Sequence, residues 1–231
     1  MEKRIKEYLY RDKALNSELI VALQDGGEVL EFDEDGIFIK SIDDIYMISC
    51  TNETKGKQWI YSIDNCDLFV THQDMFIEVA KQQFSFKERM TVLQSIYTKK
   101  TINVCEKEGI EIKKIDDTYF DIVKKYYSTV VDEEYLRKQM NQAFFFGAFM
   151  KEKIVGFVGI HEEGSIGFLE VLPEYQGLGI GTYLETHLID QLLKSNRIVY
   201  AQIKVENKVS IRLHEKLGFT TSKEHITWLM K

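Results

Sequence analysis

The chain has 231 residues, 44% of them hydrophobic, which is enough apolar material for one large domain or two small ones. Its formal net charge of −7 argues against a partner gripped through a phosphate backbone, so no nucleic acid is expected. The start has no signal-peptide core, and the longest apolar run, Ala143 to Met150, falls far below the ~20 residues of a membrane span, so a cytoplasmic protein with no membrane partner is expected.

In chain order, helical patterning covers Glu2 to Asp12 and Leu15 to Leu23, and Asp25-Gly26-Gly27 stops it in the way a glycine C-cap does. EVLEF and IFIKSI read as a hairpin around the acidic turn DEDG, followed by strands IYMISC and DLFVTH and the helix DMFIEVAKQQF. FKERMTVLQSIYTKK reads as a further extended segment, and Thr98 to Gly109 as the junction to a second domain. Cys50, Cys66 and Cys105 fit neither a disulfide framework nor a zinc site, which points to reduced thiols and no metal.

The pattern then restarts with a strand at Ile110 to Ile115 and helices at Asp117 to Tyr127 and Asp132 to Asn141, the second opened by Asp132 as N-cap. FFFGAFM, IVGFVGIH and IGFLEVL are joined by KEK and HEEGS, which are short enough only for antiparallel hairpins. A helix from about Gly179 to Lys194, the strand IVYAQIKV, a helix Lys208 to Leu217 ended by Gly218, and the strand pair FTTS and HITWLM complete the chain. The order β-α-α-β-β-β-α-β-α-β-β predicts an α+β fold, a mixed sheet with helices on both faces.

One stretch carries a chemical signal. In Gln176-Gly177-Leu178-Gly179-Ile180-Gly181 the missing side chains let an anion approach the backbone, and the amides of the following helical turn point at it with the positive end of the dipole behind them. A P-loop needs Gly-Lys-Ser/Thr, whereas Thr182 follows a glycine without a lysine. A dinucleotide fold places its glycines after the first strand of a parallel unit, not after the third strand of a meander.

Gln176-x-x-Gly179-x-Gly181, preceded by Val171-Leu172-Pro173-Glu174-Tyr175, resembles the R/Q-x-x-G-x-G/A motif of the GNAT superfamily of acyl-CoA N-acyltransferases. NKVSIRLHEKLGF, Asn207 to Phe219, resembles that family's second block, in which an asparagine opens a helix ending in Leu-Gly-Phe. HEEGS, LEVLPEY and HITWL look like a two-domain bacterial subgroup. The resemblance implies a catalytic domain over residues 105–231 with a central, mostly antiparallel mixed sheet. It also implies a smaller, degenerate GNAT-like half over residues 1–100. The implied cofactor is acetyl-CoA or a related acyl-CoA. Its pyrophosphate would lie on the amides of Gly177, Leu178, Gly179, Ile180, Gly181 and Thr182, beside Gln176, and its pantetheine would pair along Leu169, Val171 and Leu172. Asn207 and Ser210 would complete the cofactor contacts. The acceptor would be a small-molecule or peptide amine, and the protein a monomer or homodimer.

Direct attack of an amine on the thioester requires an oxyanion donor, a proton for the thiolate and a base. A backbone N–H near Val171 is expected as the donor. The family usually places a tyrosine acid in the second block where this chain has His214. Imidazole can donate a proton at neutral pH, and a role as hydrogen-bond partner of the sulfur, or a non-catalytic acyl-CoA-binding module, stays open. For the base, Glu170 interrupts the apolar run IGFLEVL, and a carboxylate buried there would have a raised pKa. Glu162, with Glu163 and His161 in the hairpin turn, is the alternative.

Overall fold

A computed structural model describes residues 2–127, 129 and 132–231. The chain divides into two compact units, Met1–Ile96 with Gln202–Lys231, and Tyr97–Ala201. In the first, helices α1 (Lys3–Leu9) and α2 (Ser17–Gln24) precede an antiparallel meander of β1 (Glu28–Phe32), β2 (Gly36–Lys40) and β3 (Ile45–Cys50). The acidic turn expected between β1 and β2 is present, and Lys55 Nζ ties it down with ion pairs to Asp33 (2.6 Å) and Asp35 (2.5 Å). Helix α3 (Glu53–Tyr61) crosses to β4 (Leu68–Thr71), which runs parallel to β3, and α4 (Ile77–Phe84) leads to β5 (Glu88–Tyr97).

Sequence patterning does not predict α3. Its fourth residue is Gly56, and a methyl there would sit 2.2 Å from the Phe76 ring. The helix therefore accepts a poor helix former, at roughly 1 kcal/mol relative to alanine, so that an aromatic ring can lie against its backbone. Phe76 belongs to an aromatic core with Phe38, Trp59, Phe69, Phe84 and Phe86. Within it Phe38 and Trp59 stack at 6.4 Å with an interplanar angle of 2°.

In the second unit β6 (Ile110–Lys114) is followed by α5 (Phe120–Tyr126) and α6 (Glu133–Met140), then by strands β7 (Phe146–Met150), β8 (Lys153–Ile160) and β9 (Ile166–Val171). Helix α7 (Ile180–Lys194) connects β9 to β10 (Val199–Lys204). The strand order is β10-β9-β8-β7-β6, antiparallel throughout except for the parallel β9 and β10. Both faces are covered. Phe157 of β8 packs with Phe120, Val123, Leu136 and Met140 of α5 and α6. Its neighbour Gly156, on the opposite face by strand alternation, sets its missing Cβ 3.1 Å from Leu184 of α7.

The last segment departs from expectation in two respects. FTTS and HITWLM form one strand, β11 (Thr220–Met230), whose register shifts between Thr221 and His225. Together with α8 (Lys208–Leu217) it groups with the first unit rather than with residues 105–201. The reason is its pairing, since β11 lies between β4 and β5, antiparallel to both. The chain also repeats an order. The elements α1-α2-β1-β2-β3-α3-β4-α4-β5 match α5-α6-β7-β8-β9-α7-β10-α8-β11 in type. In each run the third strand is antiparallel to the second and parallel to the fourth.

Candidate functional site

Helices α3, α6 and α8 begin on capping side chains. Asn52, Asp132 and Asn207 accept the N–H groups of Lys55 (3.2 Å), Tyr135 (3.0 Å) and Ser210 (3.0 Å). Helix α7 begins differently. Its N-cap is Gly179 in the left-handed region, φ +79°, with no side-chain cap and no acid in the first turn. The amides of Ile180, Gly181 and Thr182 therefore have no intrahelical acceptor and carry the positive end of the dipole. Gly177 is also left-handed, at φ +78°, and a methyl there would have no described atom within 4 Å. This uncapped donor set, open at Gly177, has the chemistry of an anion cradle.

The preceding strand sets the loop in place. Leu172 makes the last ladder bond, its N–H donating to Val155 O at 3.0 Å. Pro173, which has no N–H to extend the ladder, begins a single 3₁₀ turn to Tyr175. Gln176 Nε2 donates back to Val171 O at 3.1 Å and so fastens the loop to the strand end. Because Leu172 N–H points at β8, alternation turns Val171 N–H away from it, toward the β10 side. There β9 and β10 share the single register pair Ala201↔Ile166. Further along, β9 carries one extra residue between the pairs Gly159↔Gly167 and Phe157↔Glu170. Phe168, at φ +52°, sits in this bulge, and a non-glycine residue held left-handed is the kind of local strain that a surrounding structure must impose.

Around Phe168 the bulge assembles a titratable cluster. The rings of His161 and Tyr127 lie 4.5 Å and 4.8 Å from Phe168. The Tyr135 hydroxyl lies 2.9 Å from His161 Nδ1, a hydrogen bond in which either partner can donate. Burial lowers the His161 pKa, against the pull of Glu163. Burial raises Tyr135 and pushes Tyr127 up to about 12, with the charges of Glu170 and Glu163 adding to the effect. Glu170 is half-buried rather than buried, because the bulge breaks the alternation that would have turned it inward. Glu162 is ion-paired with Lys138, and Glu163 accepts the Ser165 hydroxyl at 2.5 Å.

On α8, Asn207 serves as the cap already described. His214 is buried, at 3% exposure, with Nδ1 2.8 Å from Ser210 O and its ring edge-on to Phe219 at 4.7 Å. A carbonyl only accepts, so Nδ1 carries the proton, and in the neutral ring Nε2 is the basic nitrogen.

Residues 111–219 match the model of the acetyltransferase (GNAT) family. This segment, just under half of the chain, is thus similar to the GNAT family. Among curated relatives, [Ribosomal protein bS18]-alanine N-acetyltransferase of Escherichia coli (strain K12) is 31% identical over 97 residues, 42% of this chain and 62% of the relative. The chain thus spans under two thirds of that protein. L-methionine sulfoximine/L-methionine sulfone acetyltransferase of Salmonella typhimurium is 42% identical over 53 residues, 22% of this chain and 31% of the relative. A solved GCN5-related N-acetyltransferase from Kribbella flavida shares the fold over 94% of this chain and 95% of its own, with a TM-score of 0.57 at 10% identity.

The GNAT segment gathers the sequence-derived candidates into separate groups. Leu169, Val171, Leu172, Gln176 and Gly177 to Thr182 lie together at the β9–α7 junction of the second unit, with Glu170 on the same strand and Glu162 in the turn before it. Asn207, Ser210 and His214 lie on α8, in the first unit. Sequence reasoning did not single out Tyr135 or Tyr127. Each sits on or at the end of a helix among other polar residues, and only the β9 bulge brings them to His161 and Phe168.

Proposed function

We propose that this GNAT-like chain transfers an acetyl or related acyl group from acyl-CoA to a primary amine in a ternary complex. The observation that carries the reading is the start of α7, an uncapped helix opened by two left-handed glycines where β9 releases the chain. In this reading the α7 amides and Gly177 to Thr182 hold the donor's pyrophosphate, Gln176 keeps the loop closed on Val171, and Leu169 to Leu172 offer a strand edge to the pantetheine. Acyl-CoA supplies the thioester, on which a new C–N bond forms as the C–S bond breaks.

Val171 N–H, turned away from β8, donates to the acyl oxygen as charge builds there, an interaction worth roughly 3–4 kcal/mol in comparable sites. Glu170 takes the proton of the incoming ammonium, directly or through water. Glu162, whose carboxylate holds Lys138, is the alternative base. His214 can deliver a proton from Nε2 only as the imidazolium, since Nδ1–H is committed to Ser210 O. The two curated relatives are named for different acceptors, an alanine of a ribosomal protein and an amino-acid sulfoximine or sulfone, so the reading stops at a primary amine.

The test is thermal stability with CoA, followed by free-thiol release from acetyl-CoA with a panel of amines. A higher Tm with CoA and thiol release with at least one amine are expected. Stabilisation without turnover on any amine would favour a binding module, and no stabilisation at all would sink the donor site.

A further inference from the structure

Resting on that donor-site reading, we propose that Lys107 is a ligand of the pyrophosphate, supplied by the segment that crosses the start of α7. Residues 98–109 are fastened there from both sides. Cys105 N–H donates to Thr186 Oγ1 (3.0 Å), and that hydroxyl donates to Thr182 O one turn earlier in α7 (2.9 Å). Beyond Lys107, its own carbonyl accepts Ile110 N–H at 3.1 Å in a turn that includes Gly109 at φ +72°. The side chain between these anchors lies over Gly179, where a methyl would stand 2.8 Å from Lys107 Cε and 2.9 Å from Nζ.

The start of α7 itself offers this exposed ammonium no attraction. An ammonium at a helix N-terminus faces the positive end of the dipole, and the first turn of α7 contains no acid to offset it. Among the described residues Lys107 makes no ion pair, whereas Lys55, Lys138 and Lys194 each have one. A diphosphate on the α7 amides changes this, because the anion then lies between two positive groups that both attract it. Gly179 serves twice in that arrangement, by supplying the left-handed turn and by leaving room for the lysine. Lys107 also precedes residue 111, where the family match begins, so this contact belongs to this chain's own junction.

The test measures affinities of the full-length protein and its Lys107→Gln and Lys107→Arg variants for CoA, dephospho-CoA and pantetheine by calorimetry. Lys107→Gln is expected to weaken CoA and dephospho-CoA equally, by about tenfold, and to leave pantetheine unchanged. Lys107→Arg should retain most of the affinity, and the loss in Lys107→Gln should shrink as salt is raised. Unchanged CoA affinity, or an equal loss for pantetheine, would overturn the assignment. A loss for CoA but not dephospho-CoA would move Lys107 to the 3′-phosphate and overturn the pyrophosphate contact. If the unaltered protein bound neither CoA nor dephospho-CoA, the donor site itself would fall, and Lys107 with it.

Discussion

At the scale of single residues, the two carboxylates near the β9 turn are separated by position, Glu162 in the turn and Glu170 on the strand itself. Glu162 is engaged by Lys138, while Glu170 stands on β9 beside Val171 and bears on Tyr127. Glu170→Gln is therefore expected to lower kcat by roughly 10²-fold or more with little change in CoA affinity. Glu162→Gln should change kcat only a few fold, and equal losses in a steady-state assay would refute the distinction. His161 gives a second prediction, on stability. Burial lowers its pKa in the fold, so below about pH 6.5 the unfolded chain takes up a proton that the folded ring resists. The contribution is present above the unfolded value and lost as pH falls from about 7 toward the folded value. His187 shifts the same way. Urea titrations from about pH 7.5 to 5.5 should show falling stability, with a shallower slope in His161→Gln, and an unchanged slope would contradict this account.

At the scale of elements, what was legible depended on local chemistry. Helix α8 matches its sequence-derived limits because Asn207 and Gly218 mark both ends, and Asp132 caps α6 as its spacing predicts. Helix α3 was hidden by Gly56, whose reason is a ring contributed from Phe76, twenty residues on. FTTS and HITWLM read as two strands because polar residues interrupt them, but pairing with β5 carries β11 across the interruption. The glycine-opened start of α7 was legible because its signal is contained in six consecutive residues. The Tyr135, His161 and Phe168 cluster was not, because it depends on a bulge. Asn207 allows capping to be separated from ligand binding. Asn207→Ala should cost about 1 kcal/mol of stability by removing the cap to Ser210 N–H, whereas Asn207→Asp should keep it. If Asn207 also contacts the acyl donor, Asn207→Asp will fold with unchanged Tm yet bind CoA several-fold more weakly. Unchanged CoA affinity in Asn207→Asp would confine the residue to capping.

At the scale of the whole molecule, the repeated order of elements raises the question of how many acyl-CoA molecules one chain can hold. The counterpart of the β9–α7 turn is the β3–α3 turn, which likewise follows the third strand and precedes a parallel fourth. Its chemistry is reversed. Asn52 fills the cap of α3 by accepting Lys55 N–H, Glu53 occupies the first turn, and no glycine stands between Cys50 and Gly56. A capped helix start with a carboxylate on it repels a diphosphate where α7 would receive one. We infer that the first run keeps the order of a GNAT half without its donor site, so calorimetric titration should give one CoA per chain. Gly179→Ala, which forces a left-handed φ on alanine at about 1–2 kcal/mol and drives its methyl into Lys107, should weaken that single site by tenfold or more. Glu53→Gln at the other turn should leave affinity and stoichiometry unchanged. A stoichiometry of two, or a site that survives Gly179→Ala and is lost on changing residues of the β3–α3 turn, would place the donor in the other run and reverse the assignment of the two halves.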